Sequence, residues 1–301
     1  MIKIEGITAF VSVVESGSVS EAARRLRLSK SVVSERLAEL ERSLGGVLLH
    51  RTTRKLTLTE DGTAFLQRAS RIVQEIEDAS AEMAERRGTL SGPLRIAAPV
   101  TFGRMHLGPA LYPFLAKHPE IELVLDIDDR RVDVSSEGYD AVVRNGPIVD
   151  SRLVVWKLSR SRRILVASPD YLARHGTPKK LADLDRHKGI FYTNRGVSDW
   201  RFQTPDGAIV VRASQAVGMN NGDMIRDAAT AGLGIALLPA FIAGPAISEG
   251  LLTEIDVGYK PEAEFIYMAH PEGRNPSAKL RAVADHLRKT FGDPPYWDPS
   301  G

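Results

Sequence analysis

The stretch from Glu60 to Arg87 limits the fold more than any other part of this 301-residue chain. It contains no proline, and its only glycine, Gly62, lies near its start. Phe65, Ala69, Ile72, Ile76, Ala79 and Met83 follow one another at spacings of four, three, four, three and four. That repeat lays one apolar seam along a helix, the pattern of a coiled coil. Rising about 1.5 Å per residue, the helix would be on the order of 40 Å long. A rod of that length fits poorly inside one compact domain, so the chain is expected to divide around it. Dimerisation through the seam is the expectation, with packing of the helix on its own domain as the alternative.

Charge changes sign at the same place. Ser20 to Leu58 holds nine Lys and Arg against four acids, and Thr59 to Glu85 holds two Arg against seven acids. A net charge of only +2 for the whole chain hides this split. The basic part suits a phosphate-facing surface, and an unevenly charged solvated surface is the plainer reading. Within it, Ile7, Phe10, Val11 and Val14 follow helical spacing, and Gly17 ends that helix. Ser18-Val19-Ser20-Glu21 reads as a capping box opening a second helix, with Val19, Ala22, Ala23 and Leu26 inward. After a turn at Leu28-Ser29, Val33, Leu37, Leu40 and Leu44 line one face of a third helix. Its other face carries Lys30, Ser31, Ser34, Glu35 and Ala38. Two short helices joined tightly, the second polar outside, make a helix-turn-helix. Gly45-Gly46 stops the third helix, and Val47 to Thr59 reads as a hairpin with a basic tip, a wing.

After the linker Gly88 to Pro93 the texture becomes strands alternating with helices, an α/β pattern. Strands are expected at 94–98, 121–125, 141–144, 163–167, 235–238 and 265–268. Helices are expected from Pro99-Val100-Thr101 toward His118, from Asp223 to Ala231, and from a Ser277 cap to Phe291. The tail from Gly292 to Pro299 is expected to be extended or disordered.

The motifs then fall into a known order. Ala22-Ala23-Arg24-Arg25-Leu26, Ser29-Lys30-Ser31-Val32-Val33-Ser34, Arg51-Thr52-Thr53-Arg54 and Leu58-Thr59-Glu60-Asp61-Gly62 resemble the DNA-binding segment of LysR-type transcriptional regulators. Ala98-Pro99-Val100-Thr101-Phe102, Ala167-Ser168-Pro169-Asp170-Tyr171-Leu172, Asn220-Asn221-Gly222 and Ala231 to Pro239 resemble the effector-binding half of the same family. The resemblance implies a winged helix-turn-helix at 1–59, a dimerising linker helix at 60–88 and an α/β periplasmic-binding-protein-like effector domain at 89–301. That domain would comprise two Rossmann-like subdomains, the first from 93–167 and 269–291 and the second from 168–268. The implied partners are double-stranded promoter DNA, a small-molecule effector, further copies of the chain in a homodimer or homotetramer, and RNA polymerase.

Matched to the family pattern, Lys30, Ser31, Ser34 and Glu35 occupy groove-facing positions. Lys30 stands where Gln is usual and Glu35 where Arg is usual. Lys donates to guanine O6 and N7, whereas Glu accepts from cytosine N4 or simply pairs with Arg36 or Lys30. Arg51, Thr53, Arg54 and Lys55 would follow phosphates or enter the minor groove, although Arg51 could pair within its own domain. The effector pocket is expected between the subdomains. Val100, Thr101 and Phe102 sit where a strand meets a helix start, whose N–H groups and Thr101 hydroxyl suit a carboxylate. Arg144 would pair with that anion, and Asn220 and Asn221 would approach from the other side; Thr193 and Asn194 are weaker candidates. The structural alternatives are a cap for Thr101 and an ion pair for Arg144.

Other chemistry is not written here. There is no cysteine, which removes disulfides, thiolate metal sites and a cysteine nucleophile. The seven histidines form no metal-binding spacing, and Gly232-Leu233-Gly234 lacks the third glycine and the context of a dinucleotide fingerprint. No Walker loop or G-x-S-x-G elbow occurs. No catalysis and no cofactor are expected. No run of 18 apolar residues occurs, so no membrane contact is expected. The opening MIKIEGITAF lacks the pattern of a secretory signal, so a cytoplasmic location is expected. The competing class is a solute-binding or small-molecule enzyme domain with an N-terminal oligomerisation module.

Overall fold

The computed structural model describes residues 1–51, 56–85, 89–130, 132–134, 137–146, 152–195, 200–211, 213–272 and 275–298. The chain forms two compact units, Met1–Gly92 and Pro93–Gly301.

The first unit holds helices α1 (Ile4–Ser16), α2 (Val19–Arg25) and α3 (Lys30–Leu44), strands β1 (Leu49–Arg51) and β2 (Leu56–Leu58), and helix α4 (Glu60–Glu85). Local chemistry sets these ends. Gly17 takes a left-handed φ of 67° and closes α1, and Gly45 does the same for α3 at 75°. Ser18 accepts from the Glu21 N–H at 3.0 Å, and Ser29 accepts from the Val32 N–H at 3.3 Å. The capping box at Ser18 is only half formed, because the Glu21 carboxylate turns to Arg24. Ile7, Phe10, Val13, Ala22, Ala23, Val33, Leu37 and Leu40 are buried in one core. β1 and β2 pair antiparallel, with Leu49 opposite Leu58 and Arg51 opposite Leu56. Thr59 caps α4 by accepting the Gly62 N–H at 2.9 Å. Gly62 lies against the backbone just before β1, where a Cβ would stand 2.0 Å from the Leu48 carbonyl oxygen. Only glycine fits there.

The seam of α4 divides in two. Ala69 is buried and Phe65 packs beside Phe10, with ring centroids 5.7 Å apart. Further along, Ile72, Ile76 and Met83 are exposed. The first half of the helix therefore packs on its own domain, and the exposed seam occupies the second half.

The second unit contains two five-stranded sheets. The first is ordered β4-β3-β5-β14-β6, from β3 (Gly92–Ala98), β4 (Ile121–Ile127), β5 (Ala141–Asn145), β6 (Leu153–Ser161) and β14 (Glu264–Pro271). The second is ordered β11-β8-β12-β7-β13, from β7 (Arg163–Ala167), β8 (Lys188–Tyr192), β11 (Ser214–Met219), β12 (Ile235–Pro239) and β13 (Thr253–Ile255). A small hairpin, β9 (Arg201–Thr204) with β10 (Gly207–Val210), completes the strands. Parallel neighbours β3 and β5, and β8 with β11 and β12, form each sheet's α/β part. The helices are α5 (Val100–Phe102), which runs through a π-turn at Gly103–Leu107 into α6 (Gly108–Lys117), then α7 (Pro169–His175), α8 (Gly222–Thr230), α9 (Ala240–Ser248) and α10 (Ala278–Phe291). Gly234 meets β8 so closely that a Cβ would stand 2.5 Å from the Lys188 carbonyl oxygen.

Two expectations need correction. The chain crosses between sheets at the single residue Arg162 and again over 256–263, not near Ala167-Ser168 and Met268-Ala269. β7 belongs to the second sheet because Leu165 pairs with Leu237 and with Ile255; β14 belongs to the first because Met268 pairs with Val143 and Trp156. The strand 163–167 was foreseen, but an apolar run alone does not say which sheet it joins. The tail up to Asp298 is packed, not extended. Trp297 lies against Phe291, Phe102 and His106, and Asp298, only 3% exposed, is bound by Arg162. Among the described residues, no helix is long and apolar enough to cross a membrane.

Candidate nucleic-acid interface and ligand cleft

The outer face of α3 is open. Lys30, Ser31 and Glu35 are exposed and Ser34 is half-buried, because Val33, Leu37 and Leu40 turn the opposite face into the core. Ser31 shares a 2.8 Å hydrogen bond with Ser29 at the helix start. Among the described residues, neither Lys30 nor Glu35 is in an ion pair, so the surface pair considered for Glu35 does not form. Lys3 instead pairs with Glu39 at 2.6 Å, which raises the Lys3 pKa and lowers that of Glu39. Arg51 ends β1. Thr53, Arg54 and Lys55 lie outside the described residues.

In the second unit a cavity of about 1030 Å³ lies between the two sheets. Thr101, Phe102 and Arg144 line it. Val100 and Asn221 are both committed to one group of the chain, Asp129, which itself lines the cavity. The Val100 N–H donates to Asp129 Oδ1 at 3.0 Å, and Asn221 Nδ2 donates to Asp129 Oδ2 at 2.7 Å. Asn221 Oδ1 meanwhile accepts the Met224 N–H at 3.1 Å and caps α8. Asn194 donates to the Asp129 carbonyl at 2.7 Å and to the Asn220 carbonyl at 3.5 Å. Thr101 is 3% exposed and its hydroxyl donates to Asp223 Oδ2 at 3.1 Å, and Asp223 also holds Arg104 and Arg226. The donors expected to await a foreign carboxylate are thus met by two carboxylates of the chain. Arg144 donates through Nη2 to the Arg130 carbonyl at 3.0 Å.

The rest of the cavity wall is basic. Arg130, Arg144, Arg152, Lys157, Arg163, Arg195 and Arg201 face it, against Asp129, Asp133, Glu262 and Glu264. Glu264 is largely neutralised, since Arg195 chelates it and buried Arg163 stands 3.6 Å away. Glu137, then Asp128, hold the Arg130 pKa up. Lys157 lies 4.1 Å from the centre of the Phe265 ring, and Arg201 is 3.9 Å from Glu262. Counting Asp128 and Glu137, which pair with Arg130, seven cations stand against six acids, so a small excess of positive charge remains over a partly apolar wall.

Asp129, Asp223, Arg152, Lys157 and Arg201 were not foreseen. Asp128-Asp129-Arg130 follows directly on β4, and loops at the carboxyl ends of strands are where α/β folds bind ligands. That placement was the available signal for Asp129. Behind the cavity, Phe102 sits in an aromatic cluster with Phe241, Phe291 and Trp297. His106 is buried in the same cluster, bonded to the Tyr296 hydroxyl at 2.7 Å, and burial lowers its pKa to about 4. Among the described residues no group of acids and histidines could hold a metal ion.

Comparison with known proteins matches both units. Residues 4–63 match the family model described as "Bacterial regulatory helix-turn-helix protein, lysR family", and residues 87–292 match "LysR substrate binding domain". HTH-type transcriptional regulator CrgA of Neisseria meningitidis serogroup C is 36% identical, with 96% of this chain and 97% of that protein covered. HTH-type transcriptional regulator DmlR of Escherichia coli K12 is 32% identical, over 96% of this chain and 95% of that one. The solved structure of CrgA, described as a LysR-type transcriptional regulator, superposes with a TM-score of 0.59 at 31% identity, covering 95% of this chain and 97% of that chain. All these names denote regulators, not enzymes.

Proposed function

Because the chain belongs to the LysR family of transcriptional regulators, a DNA-binding unit joined to an effector-binding domain, we propose that a small anionic effector in the cleft sets its affinity for particular promoter sequences. The excess of cationic side chains around a cavity of about 1030 Å³ carries this reading. A carboxylate there would meet Arg144, Arg152, Lys157 and Arg201 in a partly enclosed site, where charge interactions are stronger than in bulk water. On the DNA side, α3 enters the major groove with Lys30, Ser31, Ser34 and Glu35 toward base edges. Arg51, Thr53, Arg54 and Lys55 follow the phosphates. The exposed Ile72, Ile76 and Met83 support a homodimer through the second half of α4, with a homotetramer as the larger assembly. The regulator works in the cytoplasm on double-stranded promoter DNA, with RNA polymerase as its downstream partner.

Two measurements test the reading. Duplex binding titrated against salt should weaken steeply, and salt-independent retention would count against phosphate contacts. Arg54→Ala should weaken binding about equally on all sequences. For the effector, thermal melts against a panel of small carboxylates should find at least one that raises the melting temperature of the wild type but not of Arg144→Ala. Identical shifts in both proteins would remove the basic wall from the effector site.

A further inference from the structure

The inner end of the cleft already holds an anion. Asp129 places one carboxylate oxygen 3.0 Å from the Val100 N–H, where the α5–α6 helix begins. Its other oxygen is 2.7 Å from the side chain of Asn221, the N-cap of α8. Asp129 follows β4 of the first sheet, whereas α8 leads into β12 of the second. One carboxylate therefore lies between two helix starts, one from each side of the cleft. Helix N-termini favour negative charge because their N–H groups lack partners within the helix. An external anion at this place would duplicate the contacts that Asp129 makes and would be repelled by its charge.

We infer that Asp129 is a resident ligand and a specificity-determining residue: it fills the inner anion position and bars a carboxylate of the effector from it. Each Asp129 oxygen retains a further lone pair, so what the position presents to a ligand is an acceptor. The effector class is then narrower than a small anion. One end is negative and faces the basic wall, and the end near Asp129 carries a hydrogen-bond donor such as a hydroxyl. This narrowing rests on the anionic-effector reading above, but the occupancy of the position by Asp129 does not.

The test is chemical rescue in the full-length protein. Asp129→Ala opens the position to a small carboxylate, and acetate is the probe, with chloride holding ionic strength constant. The variant should melt below the wild type, regain part of the difference in acetate, and bind acetate at least about tenfold more tightly than the wild type. Equal acetate shifts in both proteins, or none in either, would overturn the assignment. If Asp129→Ala does not fold alone, refolding yield is measured instead. Recovery with acetate but not chloride supports the assignment, and recovery with neither overturns it. The donor end is read by the ratio of affinities for 4-hydroxybutyrate and succinate. The wild type should favour the first and Asp129→Ala the second; an unchanged ratio would overturn the selectivity role. Failure of the anionic reading has a different signature, the indifference of carboxylate binding to Arg144→Ala while acetate rescue at Asp129 persists.

Discussion

The outer face of α3 and the start of α5 are both helix surfaces furnished with polar groups, and they treat those groups in opposite ways. On α3, Lys30 and Glu35 are exposed and outside any ion pair among the described residues. At the start of α5, the Val100 N–H and the Thr101 hydroxyl are already bonded to Asp129 and Asp223, from segments distant in the chain. A surface that keeps its hydrogen-bonding capacity open is suited to a partner that arrives from outside. One that satisfies it internally ties two halves of a domain together, and a ligand must work around the tie. Substitutions on the first should change binding and spare folding, and those on the second should change stability first.

The largest expected effect lies on the internal side. His106 is neutral in the folded protein, with its pKa lowered to about 4 by burial from an ordinary 6.5. The unfolded chain takes up the proton below about 6.5 and the folded protein only below about 4, so stability falls as pH drops between those values. The loss from this group amounts to roughly 3 kcal/mol. Denaturant unfolding at pH 7 and pH 4.5 should show a clearly smaller pH dependence for His106→Gln than for the wild type. The next effect tests the open side. Lys30→Ala should reduce the preference for specific over random duplex by about 2 kcal/mol, with the melting temperature little changed. Equal losses on both duplexes would remove base readout from Lys30. Thr101→Val should cost about 1 kcal/mol of stability by removing a hydrogen bond across the cleft, with DNA affinity unchanged when no effector is present. A drop in DNA affinity without destabilisation would break the contrast. Least affected should be Glu35→Ala, within about 0.5 kcal/mol of wild-type stability by thermal melt, as expected for an exposed unpaired side chain.

Much of the first unit was legible because its signals are local. Val33, Leu37 and Leu40 recur at helical spacing, and Ser18, Ser29, Gly17 and Gly45 act on residues within four positions. The cleft was only partly legible. Thr101, Phe102 and Arg144 were foreseen as facing a cavity because the family resemblance implies a cleft between subdomains, with Thr101 and Phe102 where a strand meets a helix start and Arg144 at the end of a strand. Their partners were not, since Asp129 lies 29 residues from Val100 and Asp223 lies 122 from Thr101. No periodicity reports a contact at that separation. Strand β6 was missed; among the described residues its neighbour is β14, more than a hundred residues later. The buried end of the tail depended on Arg162 and the Phe102 cluster, so its prolines and glycine misled.

That pairing of β6 has a consequence during synthesis. The second sheet is built from the single stretch 163–255, whereas the first has its outer strand β6 made early and, among the described residues, that strand's neighbour β14 made late. At translation speeds of roughly 5–20 residues per second, β6 waits about 5–20 s for β14 to leave the ribosome. Through that interval the backbone N–H and C=O groups of β6 lack the partners that β14 supplies. The sheet that waits is the one exposed to chaperones and to aggregation, so conditions that slow elongation between these two strands should lower soluble yield more than the same delay placed before β3.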